Sequence, residues 1–288
     1  LPEVLFCFGL GYTAKRLAAA LASKGWIIRG TARTAAKVAE LRQEGIEAFE
    51  FAGLGPLQEA STALSSVTHV LHSIPPDPEG DPVLRWHAAD LAALPGLAWL
   101  GWLGSTSVYG NRDGAWVDEE TPLLPAIARA DRRAAAERDW LASGLPTHIF
   151  RLAGIYGPGR NAFVTLRQGT ARRIVKPGQV FSRIHVDDIV RVLMASIAKP
   201  SPGRIYNVCD DEPAPSQDVV GHAAKLMGVP PPPELPFETA ELPPMARSFY
   251  SANRRVRNER IKRELGVTLA FPTYREGLAA LLREAENS

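Results

Sequence analysis

Val4-Leu5-Phe6-Cys7-Phe8-Gly9-Leu10-Gly11-Tyr12-Thr13-Ala14 is the stretch whose reading decides the fold. Its first five residues are a continuous apolar run, the pattern of a strand buried on both faces of a parallel sheet. The run leads directly into G-x-G-x-x-A, and a helical pattern follows with Leu17, Ala20 and Leu21 on one face, closed by Gly25. Gly9 suits a tight strand-to-helix turn, Gly11 a close approach of a pyrophosphate to the backbone, and Ala14 close helix–strand contact. Tyr12 and Thr13 open the helix, whose unpaired N–H groups and dipole attract an anion. Glycines often mark no more than a turn. Here a second strand, Trp26-Ile27-Ile28, completes the order that a dinucleotide-binding unit requires.

The end of that second strand selects the cofactor. An NAD site places an Asp or Glu about 20 residues past the glycines, to accept from the ribose hydroxyls. This chain has Gly30-Thr31-Ala32-Arg33-Thr34 there, with no acid. Arg33 offers forked, charge-assisted hydrogen bonds to a 2′-phosphate and Thr34 one more. NADP is the expected cofactor.

At 288 residues the chain is long enough for one large domain or two interlocked ones. A hydrophobic content of 45%, a charged content of 22% and a net charge of +2 are those of an ordinary soluble protein, with no case for a nucleic-acid or membrane surface. Cys7 and Cys209 are expected to be reduced, buried thiols. The apolar opening is too short to span a membrane and carries no basic leader or cleavage site, so a cytoplasmic protein is expected. The six histidines show no metal-ligand spacing, and no metal site is expected.

Alternation continues along the chain. Helices are expected over 35–43, 57–64 and 81–94, and strands over 46–51, 67–74 and 97–103. The pattern predicts an α/β, doubly wound parallel sheet with helices on both faces, and ligands at the carboxyl ends of its strands. Beyond Gly154 the alternation loosens: a helix is expected over 163–171, a strand end running into a helix over 183–198, and a strand over 204–208. Pro230 to Pro233 break the chain into a loop or lid edge.

Gly104-Ser105-Thr106-Ser107-Val108-Tyr109-Gly110 is followed by RLAGIYGPG from Arg151, HVDDI from His185, YNV from Tyr206 and ELG from Glu264. With these motifs in this order, the chain resembles extended or atypical short-chain dehydrogenases/reductases of the NAD(P)-dependent epimerase/dehydratase kind. The resemblance implies a Rossmann core over 1–155, with strands returning from about 180–209, and a smaller substrate-binding lobe over 156–180 and 210–288. It implies that Ser73, Ile74 and Pro75 line the ribose and pyrophosphate, and that Ala153, Gly154 and Ile155 border the nicotinamide. It further implies that Asp187 or Asp188 joins the two lobes, and that the basic tail Arg254-Arg255-Val256-Arg257 borders the substrate pocket.

In that family a Ser or Thr four residues before the Tyr of VYG polarises the reacting oxygen, which here is Ser105. A Tyr-x-x-x-Lys helix supplies the proton relay. Aligning Ala136-Glu137 with the family's downstream Ala-Glu puts Arg129 in the Tyr position and Arg133 in the Lys position, on a helix expected over 126–143. The spacing of four keeps both on one face. An arginine stays protonated, with a pKa above about 12, so Arg129 cannot shuttle a proton as a phenol does. It can stabilise an oxyanion or clamp a carboxylate or phosphate, while Arg133 can keep ribose contacts. On sequence alone an equal alternative stands: with Asp131, Arg132 and Glu137 they form the charged face of an amphipathic helix. Tyr109 is the one nearby phenol placed by a motif, and Asp77 and Asp81 are spare acids in a loop expected to face the pocket. Ser107, where sugar 4,6-dehydratases have a Glu, argues against dehydration by their route.

The resemblance thus implies an NADP(H)-dependent oxidoreductase or epimerase-like enzyme acting on a sugar nucleotide or related polar carbonyl or alcohol. Loss of both Tyr and Lys keeps open a protein that binds NADP(H) without chemistry. Trp86, Leu91, Trp140 and Leu141 exceed what one sheet face needs. In line with dimers of the family, they point to a homodimer through the helices at 81–94 and 126–143.

Overall fold

The computed structural model describes residues 2–286. In chain order its first elements are β1 (Val4–Phe8), α1 (Tyr12–Ala22), β2 (Ile27–Ala32), α2 (Ala35–Gln43), β3 (Glu47–Glu50), α3 (Ala60–Ala63) and β4 (His69–His72). Then come α4 (Pro82–Ala92), β5 (Trp99–Ser105), β6 (Trp116–Val117), α5 (Ala128–Ala142), β7 (Thr147–Leu152), β8 (Gly154–Tyr156), α6 (Ala162–Arg167) and β9 (Arg173–Val175). The last are β10 (Arg183–His185), α7 (Val186–Ala198), β11 (Ile205–Val208), α8 (Ser216–Leu226), β12 (Glu234–Pro236), α9 (Pro244–Phe249), β13 (Arg255–Val256), α10 (Glu259–Leu265) and α11 (Tyr274–Glu286).

Seven strands form one sheet in the order β11-β7-β5-β4-β1-β2-β3, with β1 fully buried between its parallel neighbours β2 and β4. The doubly wound parallel sheet read from the sequence is present. From β1 the chain winds outward to β3 and then returns to β4, so the winding direction reverses between β1 and β4. In open α/β sheets ligands bind at such a reversal, beyond the carboxyl ends of the strands.

Several boundaries differ from expectation, each for a local reason. The second strand runs on to Ala32, because Gly30 and Thr31 are needed beneath the glycine loop. The helix expected over 57–64 shrinks to Ala60–Ala63, since the Leu57 N–H turns to His87 Nε2 at 3.0 Å. The helix expected over 163–171 stops at Arg167, with Gly169 at φ +66° closing it. The strand expected over 97–103 ends on Ser105, which puts that hydroxyl at the rim of the sheet.

Two compact units form. The first comprises the chain up to Ser105, Ile127–Arg151 and Val190–Tyr206; the second Thr106–Ala126, Leu152–Ile189 and the chain from Asn207 onward. In the second unit three two-stranded parallel pairs, β8 with β10, β9 with β12 and β6 with β13, pack among short helices. There Asp188 is buried and accepts from the N–H groups of Ala270 (2.8 Å) and Phe271 (2.9 Å), fixing the segment before α11 to the start of α7.

The core of the first unit is pinned by a hydrogen-bonded carboxylate. Asp81 caps α4, with Pro82 in the first helical position, and Oδ1 accepts from the N–H groups of Val83 and Leu84. Nε2 of His72 lies 2.8 Å from Oδ2, which also takes the indole N–H groups of Trp102 (3.2 Å) and Trp140 (2.9 Å). This corrects the reading of Asp81 as a spare acid in a pocket-facing loop: it is buried and its lone pairs are taken. Asp77 is likewise engaged, by a forked pair to Arg85 at 3.1 and 2.7 Å. Trp140 and Leu91, two of the four residues assigned to a dimer interface, lie in this core, and only Trp86 and Leu141 remain partly exposed, at 38% and 36%. Cys7 and Cys209 are free thiols, both buried as expected.

Burial raises the Asp81 pKa, and the His72 ring, with N–H bonds from Trp140 and Leu84, outweighs it to hold the group at about 2. A folded pKa below the unfolded one stabilises above the ordinary carboxylate range, and that contribution is lost as pH falls through about 2. Asp81→Asn is expected to lower stability by roughly 2–4 kcal/mol at neutral pH, measured by urea unfolding. The deficit should shrink when the same measurement is made near pH 3.

Candidate functional site

The glycine loop sits at the reversal between β1 and β4 and is held from both sides. Gly9 has φ +85°, a conformation that favours glycine, and a Cβ there would lie 3.0 Å from both Ser73 Oγ and Ile74 Cγ1. Ser73 donates to the Gly9 carbonyl at 2.6 Å, while Thr31 Oγ1 accepts from the Gly9 N–H at 2.9 Å. Thr31 also accepts the Leu10 N–H through its carbonyl, at 2.8 Å. Gly30 lets Leu10 fold down, since a Cβ there would meet Leu10 and the Cys7 carbonyl at 2.7 Å. Gly30 and Thr31 were read in the sequence only as the place where an acid is missing; their signal was a glycine and a hydroxyl inside a buried strand.

Gly11 is exposed, with no heavy atom within 4 Å of where its Cβ would be. It is the N-cap of α1, no side chain caps that helix and no acid stands in its first turn. Tyr12, half-buried, and the buried Thr13 and Ala14 follow. The arrangement is a backbone cradle with its positive end open, a fit for a dinucleotide pyrophosphate. Ser73, Ile74 and Pro75 follow β4 on the same edge, the first two half-buried and Pro75 exposed. Arg33 is exposed just past β2, and among the described residues it has no hydrogen bond or ion pair. Thr34 accepts the Lys37 N–H at 3.4 Å as N-cap of α2.

Ser105 ends β5, half-buried. Because β5 and β7 are strands of one parallel sheet, α5 between them begins at the same carboxyl edge. Arg129 and Arg133 occupy its first two turns, both half-buried. Burial, and then repulsion from Arg129 one turn earlier, lower the Arg133 pKa. The structure brings the glycine loop, Ser73, Ser105 and the two arginines to one edge of the first unit's sheet.

Tyr109, Ala153, Gly154 and Ile155 belong to the second unit. Tyr109 is fully buried and its hydroxyl donates to Asn207 Oδ1 at 2.7 Å, the placement of a structural phenol rather than of an acid/base. Gly154 is exposed and Ile155 half-buried, with Ala153 beneath them. The basic tail is used locally: Arg254, half-buried, donates to the Gly110 carbonyl at 3.0 Å, and desolvation brings its pKa down to about 10. Arg255 donates to the Gly114 carbonyl, and Arg257 lies over the Trp116 ring. Beside this tail lies a polar pocket of about 500 Å³ that includes Lys176, Gln179, Asn253 and Arg255. Among the described residues no group of His, Cys, Asp and Glu side chains is placed to hold a metal, and no helix is long and apolar enough to cross a membrane.

No family model matches the chain. The solved structure of a functionally unknown conserved protein from Silicibacter pomeroyi DSS is 54% identical, covers 98% of this chain and 99% of its own, and superposes with a TM-score of 0.90. Protein YeeZ of Escherichia coli (strain K12) is 28% identical over 239 residues, 78% of this chain and 84% of its own. A Methylobacillus flagellatus protein described as an NAD-dependent epimerase/dehydratase is 25% identical, with 99% of both chains covered and a TM-score of 0.75. The fold likeness extends to the dTDP-glucose 4,6-dehydratase of Bacillus anthracis, solved with NAD (16% identity, 100% of this chain and 97% of that one, TM-score 0.78). The fold is the Rossmann fold seen in these solved structures. In fold the chain is similar to extended short-chain dehydrogenases/reductases, and one such neighbour is described as an NAD-dependent epimerase/dehydratase.

If Tyr109 is structural, Tyr109→Phe should cost about 1–2 kcal/mol by leaving Asn207 Oδ1 without its donor. Urea unfolding measures that loss. Turnover on any substrate found should stay within about threefold of wild type, well short of the 10²- to 10⁴-fold that loss of a general acid or base costs.

Proposed function

We propose that this chain is an NADP(H)-dependent oxidoreductase or epimerase-like enzyme acting on a sugar nucleotide or a related polar carbonyl or alcohol. The observation that carries the reading is the braced, uncapped glycine cradle at the reversal of the sheet, with Ser105 and Arg129 on the same edge. The relatives described as epimerase/dehydratase and as a dehydratase with bound NAD support it.

In this reading the cradle from Gly9 to Ala14 holds the pyrophosphate and Arg33 takes the 2′-phosphate, its fork unengaged by any described residue. The nicotinamide ring supplies hydride transfer. Ser105 donates to the reacting oxygen, and Arg129 stabilises the negative charge that develops there. Arg129 moves no proton, since its guanidinium stays charged. Ala153, Gly154 and Ile155 border the nicotinamide.

A second reading, nucleotide binding without turnover, is favoured by one observation: Tyr109, the phenol that a motif places nearby, is buried on Asn207. Measured hydride transfer from NADPH across a panel of carbonyl substrates separates the two. Turnover on any of them removes the second.

NADPH is expected to bind more tightly than NADH by roughly 1–3 kcal/mol, with the preference lost in Arg33→Ala. Calorimetric titration of both cofactors checks it; equal affinities in the wild type would end the NADP assignment. Once a substrate is known, Ser105→Ala should cost roughly 2–4 kcal/mol in kcat/KM. Arg129→Lys should lose most activity, since an ammonium does not reproduce the planar fork, and the pH profile should show no limb belonging to a phenol.

A further inference from the structure

β4 ends on a histidine where a strand buried on both faces normally carries an apolar residue. The whole strand is buried, and His72 has no exposed surface. Removing an imidazole from water is costly unless both ring nitrogens find partners. Both do. Nε2 lies 2.9 and 2.8 Å from the two oxygens of Asp81, and Nδ1 accepts the Ile74 N–H at 3.3 Å. A nitrogen that accepts carries no proton, so the ring is the Nε2–H tautomer and Asp81 is the group that selects it.

The Ile74 N–H lies where the sheet stops. The last register pair of β1 and β4 is Phe8 with His72, and the Ser73 N–H still reaches the Phe8 carbonyl at 3.0 Å. Beyond it His72 takes over from the strand pairing and holds Ser73 and Ile74 against the glycine loop. Ser73 Oγ donates to the Gly9 carbonyl at 2.6 Å, and the same carbonyl accepts the Gly11 N–H at 2.9 Å. Gly11 is the N-cap of α1, so this one oxygen ties the start of that helix to the end of β4. A Cβ on Gly9 would stand 3.0 Å from both Ser73 Oγ and Ile74 Cγ1, which shows how closely the loop rests on them.

We infer that His72 is a positioning residue for the nucleotide: acting through Ser73 and Ile74, its Nδ1 lone pair sets the shape of the Gly9–Ala14 cradle, and Asp81 orients the ring for that task. This rests on the reading above that the cradle binds a dinucleotide. The Ser73 hydroxyl then serves the loop rather than the ligand, because its one proton is committed to Gly9. An apolar residue at 72 would suit the buried strand, but it would leave the Ile74 N–H without its acceptor and the segment free to shift. Hydrogen bonds from a backbone cradle weaken steeply with misalignment, so such a shift costs the ligand several contacts at once.

Two amides divide the roles of the histidine. His72→Gln keeps an N–H at the Nε2 position for Asp81 and offers Ile74 no acceptor. His72→Asn keeps an acceptor at the Nδ1 position and withdraws the donor from Asp81. NADP⁺ and NAD⁺ affinities are measured calorimetrically on the full chain, and the stability of the cofactor-free protein by urea unfolding. His72→Gln should weaken the tighter-binding cofactor by about tenfold or more and His72→Asn by less than about threefold, while His72→Asn should be the less stable of the two. A merely structural histidine would not give this crossing, since its affinity losses would follow its stability losses. Ser73→Ala, which leaves the buried histidine in place, should weaken the cofactor by about tenfold and decides the matter if neither amide variant folds. The inference is overturned if the two amides lose affinity in the same order as stability, if neither loses affinity, or if Ser73→Ala binds as the wild type does. A wild type that binds neither cofactor sinks the proposed function itself, whereas wild-type binding matched by the variants removes only the role of His72.

Discussion

The first unit depends on the Asp81 carboxylate. Its two oxygens receive two backbone N–H groups of α4, the His72 ring from β4, and one indole each from β5 and α5. Four elements are thereby registered to one another around one buried group. Unlike apolar contacts, which tolerate sliding, these bonds fix direction as well as distance. Ile74 donates its N–H to His72 Nδ1 at 3.3 Å, which leaves the Nε2 proton for Asp81. The segment at the carboxyl end of β4, which also braces Gly9, is thus anchored to the same carboxylate.

Which parts were legible in the sequence follows from how far apart the interacting residues lie. The β1–loop–α1 unit was readable because its chemistry is local: five apolar residues, three small ones at fixed spacing, then a helical face. The start of α4 was expected at residue 81, one residue before the helix begins at Pro82. What Asp81 does afterwards was not, because its indole donors are 21 and 59 residues away and no periodicity announces them. Tyr109 hid in the same way, its partner lying 98 residues on. Arg129 and Arg133 were an intermediate case. Their spacing showed a shared face, but whether that face met water or the sheet depended on how α5 lies on its strands.

The tandem Trp99-Leu100-Gly101-Trp102-Leu103-Gly104 in β5 shows the period of two at work. A Cβ on Gly101 would meet the Trp99 ring at 2.2 Å, and one on Gly104 the Trp102 ring at 2.6 Å. Each indole folds over the glycine two residues on, which shares its face of the sheet. The two rings therefore enter opposite layers, where Trp99 donates to Ser196 Oγ at 3.0 Å and Trp102 donates to Asp81. Room of the same kind is made in the second unit, where a Cβ on Gly277 would fall 2.0 Å from the Tyr156 hydroxyl. In both places a glycine serves packing rather than a turn.

The two cysteines are divided between the units, Cys7 in β1 and Cys209 just past β11, and both are wholly buried with burial pushing their pKa values up. Neither thiol can reach an alkylating reagent as a thiolate while its surroundings stay closed. Modification therefore waits on local opening, and its rate carries the free energy of that opening. The chain contains a built-in clock for each unit. Counting the two labels separately by mass would show which half of the molecule breathes first, with no residue introduced for the purpose.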